Sequence, residues 1–493
     1  MVNSKSPPQG WPSWLDTTDH IGSHYPYYTL PRPDSVSLQI GEIIKDIPKS
    51  DRKLDLTAVV EMVFGRRILG DRTLIQGVRR VPWMAECFHD GFKYHDIPNH
   101  GTHSPHIGQV VGKFQRELRK EVRGYVQEGD NVGILLSGGL DSRILAGLLR
   151  EVELDGIIDS ITAFTWGIRG SRDVAYARQV TEQYDWQFKH IQLNSDLLWN
   201  NIIRTGKIGA EFAPYHLHAL PIIREADNID VMLAGSYGNS VGRGEYAGDH
   251  VTELKPVVPQ RLNKFGVLPN EIVSNHQNTI YGDAYGYRGR ISRDHIYQYR
   301  EIEQQLHYMR RGLQSCMTHV AEEIPLYQIF TAPSVVNVMW ELNPQIRGID
   351  HYKELLSRLP GELKKIPDAK LGNLDGPSGV NEDLAIRAHN YGKWLRDDLR
   401  EDVIGCILDG PLVGQLFNER TINGLLDIWP RASTTTMNRI DDIISWLASL
   451  SVFVEEYDVS VPRKDTGVAD VLNTIIGLSH AESYRAARDR LRV

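Results

Sequence analysis

The chain has 493 residues, with 55 Lys and Arg against 63 Asp and Glu and a formal net charge of -8, enough at ~150 residues per domain for two to four domains. Hydrophobic residues make up 41% and charged residues 24%, an ordinary globular composition that excludes global disorder. No long basic run offers a nucleic-acid footprint, and no stretch approaches the ~18 apolar residues of a membrane span.

The amino end, MVNSKSPPQGWPSW, has neither an apolar signal segment nor a small-residue cleavage site, so a cytoplasmic location is expected. Cys87, Cys316 and Cys406 are odd in number and far apart. They fit a reducing compartment and read as structural.

In chain order, residues 1–50 are rich in proline and turn formers and predict an extended arm with little regular structure. Residues 51–118 predict a small unit: a short amphipathic helix over LTAVVEMVF, then β-leaning segments through LIQGVRRVPW. Five histidines between His89 and His106, set among Asp, Asn, Pro and Gly, predict a solvated loop, because no helical His pair supports a metal site. Charged and apolar residues alternate at helical spacing from Ile107 to Gln127. Strands are expected at Val132–Leu136, about Ile158–Phe164, Gln187–Gln192 and Val231–Ala234. Helices between them cover Arg143–Arg150, about Asp173–Tyr184 and Asp196–Thr205. This alternation predicts an α/β core over residues 119–375, a parallel sheet of about five strands with ligands at the strand carboxyl ends. Beyond about residue 300 strand signals stop. Residues 376–493 predict a helical region, with core stripes of Ile440, Ile443, Ile444, Leu447 and Leu450 and of Val471, Leu472, Ile475 and Ile476.

The chemistry lies in NVGILLSGGLDSRILAGLLRE, residues 131–151. A buried strand delivers Ser137-Gly138-Gly139, whose missing Cβ atoms let backbone N–H groups face an anion closely. A helix then opens near Leu140, Asp141 and Ser142, and its first-turn amides and dipole add to an oxyanion cradle. Ser137 and Ser142 are candidate hydroxyl donors to phosphate, and Asp141 a candidate holder of Mg2+. The string also admits a plainer reading, a tight glycine turn with Asp141 or Ser142 as helix cap. It is not a P-loop, because the terminal G-K-[ST] is missing.

S-G-G-L-D-S resembles the pyrophosphate-binding loop of the ATP pyrophosphatases, and its flanks are similar to asparagine synthetase. Those flanks are GDRTLIQGVRRVPW (70–83), FTWGIRGSRDVAYARQV (164–180), IPLYQIF (324–330) and ELNPQIRG (341–348). The resemblance implies an adenine nucleotide α-hydrolase (HUP-like) fold with ATP and Mg2+ as cofactors. Residues Ser137 to Ser142 would lie on the phosphates, and Leu136, Trp166, Ala234 and Gly235 would line the adenine. It also implies roles in pyrophosphate departure for Lys370, in IPDAKLG, and Lys353, in HYKELLSRL, although each also reads as a surface lysine. The reaction implied is attack of a substrate carboxylate on ATP to give an acyl-adenylate and pyrophosphate, then capture by ammonia or an amine.

Two departures from that family modify the expectation. Val2 stands where the family's glutaminase has its cysteine, so nitrogen is expected from free ammonia, a separate glutaminase subunit or an amine substrate. In LAGSYGNSVGRGEY, Ser236, Asn239 and Ser240 stand where that family has three acidic residues; Asn239 can still offer a neutral oxygen ligand, Glu245 can compensate through a shifted loop, and the string also reads as a plain turn rich in Gly and Ser. The expected function is an amide-forming ligase acting on a small-molecule or peptide carboxylate, with no nucleic-acid or membrane partner. A catalytically weakened nucleotide-binding or regulatory protein is the alternative. Thiolation is a third reading, disfavoured because no paired-cysteine motif is present.

Overall fold

The computed structural model describes residues 7–13, 20–22, 25–374, 383–429, 436–463 and 468–490. At its centre is a five-stranded sheet in the order β7-β6-β5-β8-β9. The strands are β5 (Asn131–Leu135), β6 (Ser160–Gly167), β7 (Gln187–Gln192), β8 (Val231–Ala234) and β9 (Leu326–Gln328), and every pairing is parallel. Strand order reverses on passing from β5 to β8, which opens a crevice at their carboxyl ends. The first four strands lie where sequence periodicity places them. The fifth corrects the expectation that strands stop near residue 300: three residues are too short to carry a period, and only pairing with β8 defines β9.

Helices pack on the sheet through apolar faces. Helix α2 (Ile107–Tyr125) buries Val110, Val111, Phe114, Leu118 and Val122, and α3 (Leu140–Leu154) buries Ile144, Leu145, Leu148, Leu149 and Val152. Both join one core cluster with Val132 and Ile134 of β5. Helices α4 (Arg172–Tyr184) and α5 (Ser195–Lys207) follow β6 and β7 and complete the βα alternation.

Before the sheet, helix α1 (Leu56–Gly65) is capped by Asp55, whose carboxylate accepts from the amides of Thr57 and Ala58. The arm is more ordered than its composition suggests, because β1 (Tyr27–Thr29) pairs antiparallel with β2 (Val78–Arg80). The hairpin is β3 (Ala85–Phe88) with β4 (Gly91–Tyr94), C-terminal to LIQGVRRVPW. A buried ionic knot fastens these pieces to the core. Arg80 and Arg311 each reach Glu211 at 3.0 Å, and Arg80 also donates to the Tyr27 hydroxyl.

Two other expectations are overturned. The histidine segment is not wholly solvated: His100 is buried, bonds Glu301 at 3.1 Å and stacks on Trp340 at 4.3 Å. At the carboxyl end, α10 (Arg439–Glu456) buries Ile440, Ile443, Ile444, Leu447 and Leu450 as its period requires. Among the helices between α5 and α10 are α6 (Asn270–Tyr285), α7 (Pro333–Trp340), α8 (Ile349–Ser357) and α9 (Glu419–Ile428). On α11 (Val468–Arg490), however, Val471, Leu472, Ile475 and Ile476 are 42–59% exposed. That helix turns Asp470, Thr474, Gly477 and Ala481 inward instead. A Cβ at Gly477 would lie 2.1 Å from the Phe265 carbonyl oxygen, so close backbone approach decides which face is buried. Among the described residues no helix is long and apolar enough to cross a membrane.

Candidate functional site

Leaving β5, the chain makes the Ser137–Gly139 turn directly over the crevice and enters α3 with Gly139 as a cap that has no side chain to offer. Its scaffold is internal. The Ser142 hydroxyl accepts from the Ser137 amide at 3.1 Å and lies 3.0 Å from the Ser137 hydroxyl, which accepts from the Gly139 amide at 3.2 Å. The Gly138 amide donates to Asp173 Oδ1 at 3.1 Å, so this loop already holds an anionic oxygen of the protein itself. Arg143 locks the cradle from behind, donating to the carbonyls of Gly138, Leu363, Ile366 and Pro367. Burial lowers the affinity of the Arg143 guanidinium for its proton, pushing its pKa down to about 10.

The loop after β8 closes on the same helix start. A Cβ at Gly235 would lie 2.7 Å from the Asp141 carbonyl carbon, and one at Gly238 would lie 2.4 Å from Asp141 Cγ. Only glycine permits this approach at both places. The Tyr352 hydroxyl on α8 pins the loop, its one proton lying between the carbonyls of Gly238 and Val241 at 2.7 and 2.5 Å. Arg243 then comes back over Asp141, with Nη2 at 2.6 Å from both carboxylate oxygens. Burial raises the Asp141 carboxyl above the ordinary carboxylate range, and the Arg243 charge opposes that rise.

This arrangement tests the magnesium expectation. Both Asp141 oxygens are engaged by a guanidinium, Asp173 is engaged by Gly138, and Asp368 Oδ1 accepts from the amides of Lys370 and Leu371. Asn239 is exposed, and its amide lies close to Gly244. Among the described residues no group of three or more His, Cys, Asp or Glu side chains could hold a metal ion. The residues as arranged do not fit a magnesium ion ligated by the protein.

The crevice widens into a pocket of about 1100 Å³. Of the residues singled out from the sequence, Leu136, Ser137, Gly139, Leu140, Asp141, Ser142, Trp166, Ala234, Gly235, Asn239 and Lys370 line it. Gly138 is buried just behind, where a Cβ would meet Ala369 and the backbone of Asp173 at 3.0 and 3.1 Å. Lys353 is not brought in: it does not line the pocket, and its ammonium lies 3.9 Å from Asp350.

Sequence reasoning passed over several lining groups. Arg243 is one, and the wall of rings beyond Trp166 is another. His218 stacks on Trp166 at 5.5 Å and on Tyr391 at 5.7 Å, and His389 stacks on Tyr391 at 4.1 Å. Burial holds these imidazoles neutral: His216 and His389 are each pushed down to about 4, and His218 is also lowered. No fixed spacing links residues 166, 216, 218 and 389, so only the fold reveals the wall. Arg243 had a weak signal, as a cation in the glycine-rich loop that follows a strand.

A parallel five-stranded α/β sheet with an S-G-G-L-D-S turn at its switch point is the arrangement expected of a nucleotide-binding domain. Residues 113–276, a third of the chain, match the asparagine synthase family. A probable glutamine-hydrolysing asparagine synthetase of Acanthamoeba polyphaga mimivirus is 33% identical over 89 residues, which are 18% of this chain and 16% of that protein. The chain thus spans less than a fifth of that relative. Two solved structures are similar at low scores. The U34-tRNA thiolase NcsA of Methanococcus maripaludis has TM-score 0.22 and 16% identity, covering 51% of this chain and 72% of its own. The NMN synthetase of Francisella tularensis has TM-score 0.21 and 12% identity, covering 44% and 92%. The fold assignment rests on the sheet order and not on these two.

Proposed function

We propose that the chain is an ATP-dependent amide-forming ligase, which activates a carboxylate as its acyl-adenylate and passes the acyl group to ammonia or an amine. The observation that carries this reading is the S-G-G-L-D-S turn, set at the switch point of the sheet, within the stretch that matches the asparagine synthase family, and opening into one large pocket. Leu136, Trp166, Ala234 and Gly235 line the adenine end in this proposal, and the Ser137–Ser142 turn takes the phosphates. At about 1100 Å³ the pocket is at the upper end of small-molecule sites, which run to ~1,000 Å³. That size leaves room for a small-molecule or peptide carboxylate beside the nucleotide.

In the first step a carboxylate oxygen attacks the α-phosphorus, and the bond to the bridging oxygen breaks to release pyrophosphate. The helix-start amides face the charge that develops there, and Lys370 balances the departing pyrophosphate. In the second step the amine nitrogen attacks the acyl carbon, AMP leaves and the amine loses a proton. Magnesium enters only as the counter-ion carried by the nucleotide. Lys353 has no part in this scheme, because it lies outside the pocket. The nitrogen comes from ammonia, a separate glutaminase subunit or an amine substrate.

A second reading, a nucleotide-binding regulatory protein, is favoured by the Arg243 clasp on Asp141. Single-turnover incubation with ATP, pooled carboxylates and ammonium separates the two. The ligase releases one pyrophosphate per amide, identified by product mass. The regulatory protein binds ATP and releases none.

A further inference from the structure

Asp141 is the acidic residue in the first turn of α3, and its side chain is 20% exposed toward the pocket. Left alone, it would set a negative charge beside the amides that receive phosphate. Arg243 prevents that through Nη2. A guanidinium carries five N–H donors, and one nitrogen serves Asp141. Among the described residues nothing accepts from Arg243 Nε, which is buried, or from Nη1. The guanidinium lies over the Tyr352 ring at 5.0 Å and lines the pocket. Lys370 lines the same pocket with no side-chain partner among the described residues. The carboxylates of Asp141, Asp173 and Asp368, by contrast, are already engaged by Arg243 or by backbone amides, and the remaining carboxylate of the lining, Glu245, is exposed.

We propose that Arg243 is a second phosphate-binding cation of this pocket beside Lys370: it cancels the charge of Asp141 and offers its remaining donors to nucleotide phosphate, so a nucleoside triphosphate binds without a metal ion on Asp141. The inference rests on the reading that this pocket takes ATP. A planar, permanently charged fork suits phosphate oxygens, and the close approach of Gly235 and Gly238 holds the loop where Arg243 must sit.

The test is calorimetric titration of ATP into the full chain, in EDTA and in magnesium. The comparison covers the parent, R243Q, D141N and the D141N/R243Q double variant. Parent affinity in EDTA is expected within about threefold of that in magnesium. R243Q is expected to lose about tenfold or more in EDTA, the size of one lost charge-assisted hydrogen bond. The double variant is expected to recover part of that loss, because the repelling carboxylate is gone but the phosphate donors of the guanidinium are still missing. R243K, which keeps the ion pair but not the free donors, supplies the same comparison if R243Q no longer melts cooperatively. Metal-free affinity unchanged in R243Q, or lost in the parent on adding EDTA, overturns the inference alone. No ATP binding by the parent in either buffer overturns both the inference and the ligase reading.

Discussion

At Gly238 the site has almost no slack, since a single methyl group would meet the Asp141 carboxylate at 2.4 Å from Cγ. Gly238→Ala is therefore expected to push the loop off the helix start and cost about tenfold or more in ATP affinity, roughly 1.4 kcal/mol. Gly124, near the end of α2, meets nothing within 4 Å, and its φ is ordinary. Gly124→Ala is expected to raise stability by about 0.5–1 kcal/mol and to leave nucleotide binding alone. Paired thermal melts and titrations of the two variants check this contrast; equal affinity losses would refute the packing argument. The S-G-G-L-D-S turn was legible in the sequence because its parts are contiguous. Arg243 was not, because it lies 102 positions from Asp141 and only the β8 loop brings the two together.

Among the elements, α10 and α11 carry similar apolar stripes with opposite fates. Leu447 on α10 is fully buried, and Leu447→Ala is expected to cost about 2–5 kcal/mol in urea unfolding. Leu472 and Ile475 on α11 are each 59% exposed, and replacing either with Ser is expected to change stability by less than about 0.5 kcal/mol. A loss above 2 kcal/mol at either position would place that face in the core. Periodicity finds an apolar face but not the side a neighbour approaches, and on α11 that side is set by Gly477. The π-helix at Gln304–Leu313 was also illegible. It turns Tyr308, Met309 and Leu313 to the pocket while sending Arg311 to the Glu211 knot, a wide turn with no sequence period of its own.

Over the whole molecule, buried neutral histidines dominate the expected acid response. Burial pushes His216 and His389 down to about 4 and His307 to about 3, below the ordinary imidazole value of 6.5. The unfolded chain then binds more protons than the folded one between pH 6.5 and about 4. Stability present above pH 6.5 is lost as pH falls through that window. Asp441, pushed up to about 6 by burial, and the raised carboxyls of Glu61, Asp71, Asp141, Asp173 and Glu303 work in the opposite sense. Burial also lowers His100, His218, His319 and His351, and the ion-paired carboxyls of Glu301 and Glu341 are lowered as well. The urea midpoint at pH 5 is expected below that at pH 7, and a midpoint that rises on acidification would contradict this balance. The parallel core was readable because four of its strands alternate with helices, whereas the arm's β1 pairs 51 residues downstream with β2, an association no local pattern encodes.

In the proposed ligase the pocket transfers adenylate from ATP to a carboxylate. The measurement that tests this transfer most directly is carboxylate-dependent exchange of labelled pyrophosphate into ATP, screened over amino acids, peptides and small diacids, with Lys370→Ala alongside. Exchange with one pool is expected, with a loss of about tenfold or more in the variant, the worth of one charged contact to pyrophosphate. ATP binding without exchange in any pool would contradict the ligase reading and leave the regulatory reading in its place.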